Sequence, residues 1–253
     1  MIFTFRLLLL AGLLCPSLKL FAQQGTRPHA HNDYEHRRPL LDAVAAGFRS
    51  VEADVHLRDG RLLVGHNTVN RRSPLLKNLY LRPVDSLMNS GSPCNLKPPF
   101  FLMIDLKTDG MATLQQLSSE LRDFPHWLNG RCPVNIVLSG NVPKAQLLSQ
   151  AFAGIMIDGR PDDLGKGIDP IRMPWVSDRF SNWGSVDSNG RITTASVGRI
   201  STLAARIHAE GKTFRLWAIP DHPAAWRQLM DAGVDLLNTD RLEEMRAFMD
   251  SVK

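Results

Sequence analysis

Three short stretches carry residues able to do chemistry together. Pro28-His29-Ala30-His31-Asn32-Asp33 closes one extended run. Val51-Glu52-Ala53-Asp54-Val55-His56 forms a second, and Phe101-Leu102-Met103-Ile104-Asp105-Leu106-Lys107 a third. Alternate side chains of a strand face opposite sides. Glu52 and Asp54 therefore share one face, with Val51, Ala53 and Val55 on the other; Asp105 and Lys107 likewise pair on one side. Carboxylates held close together repel unless a proton or a cation separates them, and a divalent cation is the economical answer. Three such acids beside a lysine would make an oxygen-only metal site with room for a phosphate-sized anion. After the second stretch come Asp59-Gly60, a hairpin-type turn, and Leu62-Leu63-Val64-Gly65-His66-Asn67. The turn can return the chain and bring His66 to the same end. Each piece alone has an ordinary explanation as a surface acid, an ion pair or a structural histidine. The ordered set His31, Glu52, Asp54, His66 and Asp105 on successive strand ends is what points to a site.

Positioning such a set requires strands that end together. Apolar or β-branched runs occur at Arg27–Asn32, Ser50–His56, Phe100–Leu106, Val134–Leu138, Gly154–Ile157, Met173–Val176, Thr213–Ala218 and Val234–Asn238. Helical patterns occupy Pro39–Ala46, Met111–Phe124, Val142–Gln150, Val197–Glu210, Pro223–Ala232 and Leu242–Val252. Pro39 and Pro223 suit first turns, and Gly47, Gly211 and Gly233 suit helix ends. Eight strands alternating with helices predict an α/β fold, a single (β/α)8 TIM barrel, whose active sites lie at the C-terminal strand ends. An open doubly wound sheet is the alternative, but no Gly-x-Gly-x-x-Gly follows the first strand. Asn67–Pro99 reads as a long loop with a short helix, and Asp178–Arg191 as another loop.

Composition agrees. The chain has 253 residues, 43% hydrophobic and 22% charged, with 18 Gly and 16 Pro, which excludes disordered, collagenous and disulfide-dense classes. With 7% aromatic residues and a mean hydropathy of −0.15, it is not a multi-span membrane protein. The formal charge of +5 is scattered, with no long basic block. It reads as a solvated surface, and no nucleic-acid partner is expected. Residues 1–22 read as a secretory signal: Arg6, then the apolar run Leu7–Leu14, then Pro16, with cleavage after Ala22. The run is shorter than the roughly 20 residues a membrane span needs. Cys15 raises a lipoprotein alternative, against which Leu14 is a poor fit. Residues 23–253 then form the barrel domain, secreted or periplasmic, where Cys94 and Cys132 could pair. No amphipathic aromatic helix marks the sequence, so membrane contact is at most peripheral. Oligomeric state is not legible.

The stretch from His29 to Asn67 resembles the glycerophosphodiester phosphodiesterases, and more broadly the TIM-barrel phosphodiesterases that include phosphatidylinositol-specific phospholipases C and sphingomyelinases D. An early His, a Glu-x-Asp, an Asp-Gly turn and a second His recur there at this spacing, here as His31, Glu52-Ala53-Asp54, Asp59-Gly60 and His66. The acidic-x-Lys of the third strand matches Asp105-Leu106-Lys107. Leu216-Trp217-Ala218-Ile219 and Gly233–Asp240 are similar to the last two strands. The resemblance implies Mg2+ or Ca2+ on Glu52, Asp54 and Asp105, with His31 and His66 as acid and base. It also implies Lys107, Asn32 and Trp217 as substrate contacts, and a small-molecule or lipid-derived phosphodiester as substrate. Two departures matter. His31-Asn32-Asp33 stands where the family has His-Arg-Gly, so the phosphate-contacting arginine is missing. Asp105 is shorter than the usual Glu and closer to the sphingomyelinase D pattern. No sizeable insertion follows His66. Two other readings stay open. His29-Ala30-His31 also looks like the His-x-His of metal-dependent amidohydrolases, which need later histidines; only His126 lies between His66 and His208. A secreted binding protein on a decayed barrel is the other, motivated by the missing arginine.

Overall fold

Residues 25–89, 99–128, 134–149 and 154–253 are described by the structure, a computed structural model. The expected signal segment and Cys15, Cys94 and Cys132 lie outside them. Nine strands run β1 (Arg27–Ala30), β2 (Ser50–Arg58), β3 (Arg61–Val64), β4 (Phe100–Leu106), β5 (Val134–Gly140), β6 (Ile155–Gly159), β7 (Trp175–Arg179), β8 (Thr213–Trp217) and β9 (Leu236–Thr239). All but β3 are parallel neighbours, and β1 pairs with both β2 and β9, which closes the sheet. The result is the eight-stranded (β/α)8 barrel that the alternation predicts. The ninth strand, β3, is the returning arm of the Asp59-Gly60 hairpin, antiparallel to β2 with Arg58 opposite Arg61. Asp59 and Gly60 both have positive φ (50° and 69°), as a two-residue primed turn demands.

The helices are α1 (Leu41–Ala45), α2 (Arg82–Asn89), α3 (Gly110–Leu121), α4 (Pro125–Leu128), α5 (Lys144–Ser149), α6 (Phe180–Trp183), α7 (Thr194–Ala209), α8 (Pro223–Asp231) and α9 (Leu242–Ser251). A π-helical turn at Lys77–Leu81 leads into α2. No helix among the described residues is long and apolar enough to cross a membrane. Outward residues of the strands, such as Val51, Ala53, Val55, Leu102 and Ile104, pack under these helices. Inward residues make a second, smaller core of Phe101, Met103, Val137, Trp175 and Leu236 that plugs the barrel floor. Above that plug the inward positions turn polar: Glu52, Ser139, Asp158, Ser177, Arg215 and Asn238 are all buried. Parallel strands covered on both faces read as continuous apolar runs. The charged ones among these buried inward positions, Glu52, Asp158 and Arg215, lie toward the C-terminal mouth, while at the opposite end Arg27 lies over the Phe101 ring, 5.6 Å from its centroid.

Local chemistry shifts some boundaries. β7 starts at Trp175, past Met173-Pro174, and stays paired through Arg179, two residues into the expected loop. α7 starts at Thr194 rather than Val197 because Thr193 caps it, its Oγ1 accepting from Ser196 N–H at 3.4 Å. α1 starts after Pro39: Leu40 adopts φ 63°, its N–H held by buried Asp33 Oδ2 at 2.6 Å, so Pro39 belongs to the preceding turn.

Candidate active site

Parallel pairing sets Asp54 directly beside Asp105 on β2 and β4, one strand spacing apart. Glu52 lies one inward position below Asp54. Glu52, Asp54 and Asp105 each offer an oxygen within 4.8 Å of the others, the expected three-acid cluster. A cavity of about 270 Å³ opens above it at the C-terminal mouth. His31, Asn32, His66, Lys107 and Trp217 line this cavity beside the three acids. The expected acids, acid–base histidines and substrate contacts are therefore brought to one place.

Each carboxylate spends one oxygen on protein partners. Glu52 Oε2 is 3.0 Å from Arg215 Nη2 and 3.4 Å from His29 Nε2. Burial alone would raise its pKa, but the Arg215 charge and His29 outweigh burial and hold it at about 2. Asp54 Oδ2 receives His66 Nδ1 at 2.8 Å, the Tyr34 hydroxyl at 2.9 Å and Lys107 Nζ at 3.0 Å. Asp105 Oδ2 receives Lys107 Nζ at 2.5 Å. The other oxygens, Asp54 Oδ1 and Asp105 Oδ1, are buried with no hydrogen-bond partner. Two orphaned acceptors that close together cost free energy unless a cation completes them. The donor set, all hard oxygen, fits Mg2+ or Ca2+. Burial, aided by Glu52 and Asp54 and opposed by Lys107, raises the Asp105 pKa.

The cradle extends to the backbone. Gly140 ends β5 with φ +73°, and a Cβ there would lie 2.1 Å from Asp105 Oδ1 and 2.6 Å from the Leu106 carbonyl. Glycine is required at this position by both conformation and space.

The two imidazoles are held differently. His31 follows β1, its N–H on the Thr239 carbonyl at 3.0 Å, and its Nδ1 is 2.8 Å from Asp240 Oδ1. Burial works against its charged form, but the Asp240 hydrogen bond and the nearby Glu52 outweigh burial and raise its pKa. His66 uses Nδ1 on Asp54. Both Nδ1 atoms being engaged, both Nε2 atoms are the ones available to a substrate. Asn32 takes the left-handed conformation (φ 46°), which Asn tolerates, and starts the short turn Asp33–Glu35. That turn swings Tyr34 over the site, its hydroxyl 2.7 Å from Asn32 Oδ1 as well as on Asp54. Trp217 is half-buried, with the Arg179 guanidinium 5.4 Å from its ring centroid. His29 lies below, fully buried, with Nδ1 2.6 Å from Ser50 Oγ and a pKa pushed down to about 4 by burial and Arg215. His29 and His31 thus have separate partners and do not converge on one ion.

Four residues here escape motif reading: Tyr34, Arg160, Arg215 and Asp240. Arg160 and Arg215 both line the cavity. So the missing strand-one arginine does not leave the pocket without guanidinium groups. Asp158-Gly159-Arg160, Arg215-Leu216-Trp217 and Asn238-Thr239-Asp240 repeat the spacing of Glu52-x-Asp54 at later strand ends. That repeated polar-x-polar pattern was the available signal.

A barrel with this site has the fold of a glycerophosphodiester-phosphodiesterase-like TIM-barrel phosphodiesterase. Residues 23–152 match the AIM6-like phosphodiesterase domain, and residues 213–243 match the glycerophosphoryl diester phosphodiesterase family. The chain belongs to the AIM6-like phosphodiesterase domain family. Altered inheritance of mitochondria protein 6 from Eremothecium gossypii is 29% identical, over 88% of this chain and 69% of that protein. Its Arthroderma benhamiae homolog is 27% identical, over 87% and 82%. The chain thus spans about two thirds of the length of the Eremothecium relative. A glycerophosphodiester phosphodiesterase structure from Parabacteroides distasonis superposes with a TM-score of 0.61 at 14% identity, covering 91% of this chain and 100% of that one. One from Agrobacterium tumefaciens gives 0.54 at 13%, covering 89% and 99%. At those identities the likeness concerns the fold.

Proposed function

We propose that this protein is an exported, divalent-cation-dependent phosphodiesterase that cleaves a glycerophosphodiester or phospholipid-type substrate. The observation that carries the reading is the carboxylate trio with its two buried orphan oxygens, set between His31 and His66 at one cavity mouth. Mg2+ or Ca2+ held by Glu52, Asp54 and Asp105 would supply neutralisation of the phosphate oxygens and of charge developing in the transition state.

The chain's own groups do the rest. His31, whose charged form the Asp240 carboxylate favours, delivers a proton from Nε2 to the departing alkoxide. His66, oriented by Asp54, takes a proton at Nε2 from the attacking hydroxyl, whether water or a neighbouring substrate OH. General acid–base help of this kind is worth about 10²–10⁴-fold. Lys107 bridges Asp54 and Asp105 and places its charge beside the phosphate. Asn32 and Tyr34 fix the rim, and Trp217 offers a flat wall to the alcohol portion. Export rests on the apolar run of residues 1–22 and its small-residue end.

A panel of glycerophosphodiesters and lysophospholipids, run with Mg2+ and Ca2+ in parallel and followed by phosphorus NMR, tests the reading. It separates hydrolysis from release of a cyclic phosphate. Turnover should vanish with chelator, return with added cation, and be lost in His31→Ala and in His66→Ala. Indifference to chelator, or full activity in both variants, overturns it.

A further inference from the structure

We propose that Arg160 is the guanidinium that grips the substrate phosphate, replacing from the far wall the arginine that Asn32 displaces on β1. The inference rests on the phosphodiesterase reading and adds a contact to it. Around the closed sheet β6 is four strands from β1 in either direction, so Arg160 faces His31 and Asn32 across the barrel. Both walls line one small cavity, so a phosphate above the acid cluster meets both.

Of the three cations at this mouth, Arg160 is the most exposed and keeps two donors free toward the cavity. Lys107 Nζ gives two of its three hydrogens to Asp54 and Asp105 and has at most one left for a phosphate. The Arg215 side chain is 3% exposed, with Nε on Asn238 Oδ1 at 3.0 Å and Nη2 on Glu52. Arg215 positions a metal ligand. Arg160 is 35% exposed. Its Nη1 is pinned by Asp158 Oδ2 at 3.0 Å, the Asp158 carbonyl at 3.3 Å and the Gly159 carbonyl at 2.8 Å. Nη2 donates once, to Ser139 Oγ at 3.2 Å. Among the described residues, Nε–H and the second Nη2 hydrogen have no acceptor. These two lie side by side on one edge of the guanidinium, the fork that matches two phosphate oxygens.

The anchor is built for aiming. Asp158 is buried and already accepts from Ser139 Oγ at 2.8 Å and Ser177 Oγ at 2.5 Å. It does not need Arg160 to be satisfied, whereas Arg160 takes its direction from Asp158 together with the Gly159 carbonyl and Ser139.

The test uses Arg160→Met and Arg160→Lys in the full chain. Titration of inorganic phosphate in the presence of Mg2+, followed by calorimetry, is run beside steady-state kinetics on bis(4-nitrophenyl) phosphate. Arg160→Met should weaken phosphate binding and raise KM by about 10- to 100-fold, the range for a charge-assisted bidentate contact. Should that variant fail to fold, Arg160→Lys keeps a cation against Asp158 but loses the fork, and should still weaken phosphate by about tenfold. Unchanged phosphate affinity and KM in a folded variant overturn the assignment while leaving the phosphodiesterase reading intact. Phosphate binding that depends on Arg160, with no turnover of any diester by the unaltered protein, sinks that reading and leaves this contact standing. An unaltered protein that binds no phosphate overturns the assignment outright.

Discussion

Gly140→Ala is the sharpest perturbation of the carboxylate cluster, because it adds one methyl group and removes no carboxylate. The new Cβ would lie 2.1 Å from Asp105 Oδ1, about 1 Å inside the closest approach carbon and oxygen tolerate, and 2.6 Å from the Leu106 carbonyl. The Leu106 backbone is fixed in the β4–β5 ladder, so Asp105 must swing away. Overpacking of this kind costs about 1–3 kcal/mol, and a φ of +73° adds about 1 kcal/mol for a residue with a side chain. Gly167→Ala separates the two costs: its φ is +67° and nothing lies within 4 Å of the added carbon. Thermal melts with and without Ca2+ or Mg2+ supply the assay. At a cation concentration about 100 times Kd, the unaltered protein and Gly167→Ala should gain about 2.7 kcal/mol. Gly140→Ala should start about 2–4 kcal/mol lower and gain little, since a ligand shifted by about 1 Å leaves the 2.0–2.6 Å coordination range. A Gly140→Ala protein with an undiminished cation shift would refute the claim that Asp105 Oδ1 is a ligand.

The remaining predictions concern titration and packing. Asp240→Asn removes the negative charge that helps raise the His31 pKa; if His31 must be protonated, the alkaline limb of the pH–rate profile should move to lower pH, and an unmoved limb argues against His31 as the acid. Arg215→Met leaves buried Glu52 without its cation, so the carboxyl should take up a proton and cation affinity should fall at least tenfold by calorimetry. Asp33 is raised to about 6 by burial, against the hydrogen bonds from Leu40 and Tyr80. Its folded form binds more protons than its unfolded form between about pH 4 and 6, so stability rises as pH falls through that window, by about 3 kcal/mol. Denaturant midpoints should show this slope, and Asp33→Asn should flatten it. Trp175→Ala empties the barrel floor and should cost about 3–5 kcal/mol.

The strand alternation was legible because parallel strands covered on both faces leave runs such as Phe100–Leu106 unmistakable. The acid cluster was legible for a related reason: charge at alternate positions inside such a run has no place except the open end of a barrel. The hairpin carrying His66 could be read from Asp59-Gly60, since few dipeptides accept two positive φ angles. Tyr34 could not be found that way. It reaches Asp54 only because Asn32 is left-handed and Asp33 clamps the Leu40 N–H, a loop geometry with no periodicity to betray it. Arg160 and Asp240 were hidden for a different reason. They lie just beyond short strands, and their anchors, Asp158 and His31, are distant or unremarkable in the chain. Side-chain hydrogen bonds across 209 residues, as between His31 and Asp240, are set by barrel closure and not by local sequence.

Charge explains why these parts belong together. Glu52, Asp54, Asp105, Asp158 and Asp240 face Lys107, Arg160, Arg215 and the His31 imidazolium, five carboxylates against four cations, a formal −1 with His66 left uncounted. A phosphodiester also carries −1, so the bare cup repels the substrate it is shaped for. One dication would reverse the sign, and with the guanidinium of Arg160 opposite, a phosphate would enter between two positive walls. Cation and phosphate should therefore bind with positive coupling: each should tighten the other, by the same factor in either order of addition. Because the groups are only partly shielded from solvent, that factor should shrink as salt rises from about 0.01 to 0.15 M. Calorimetric titration of phosphate with and without Mg2+, at both salt levels, measures it directly. Equal phosphate affinity in the presence and absence of cation would show that the acids and the phosphate site are electrically independent, and the charge argument would fail.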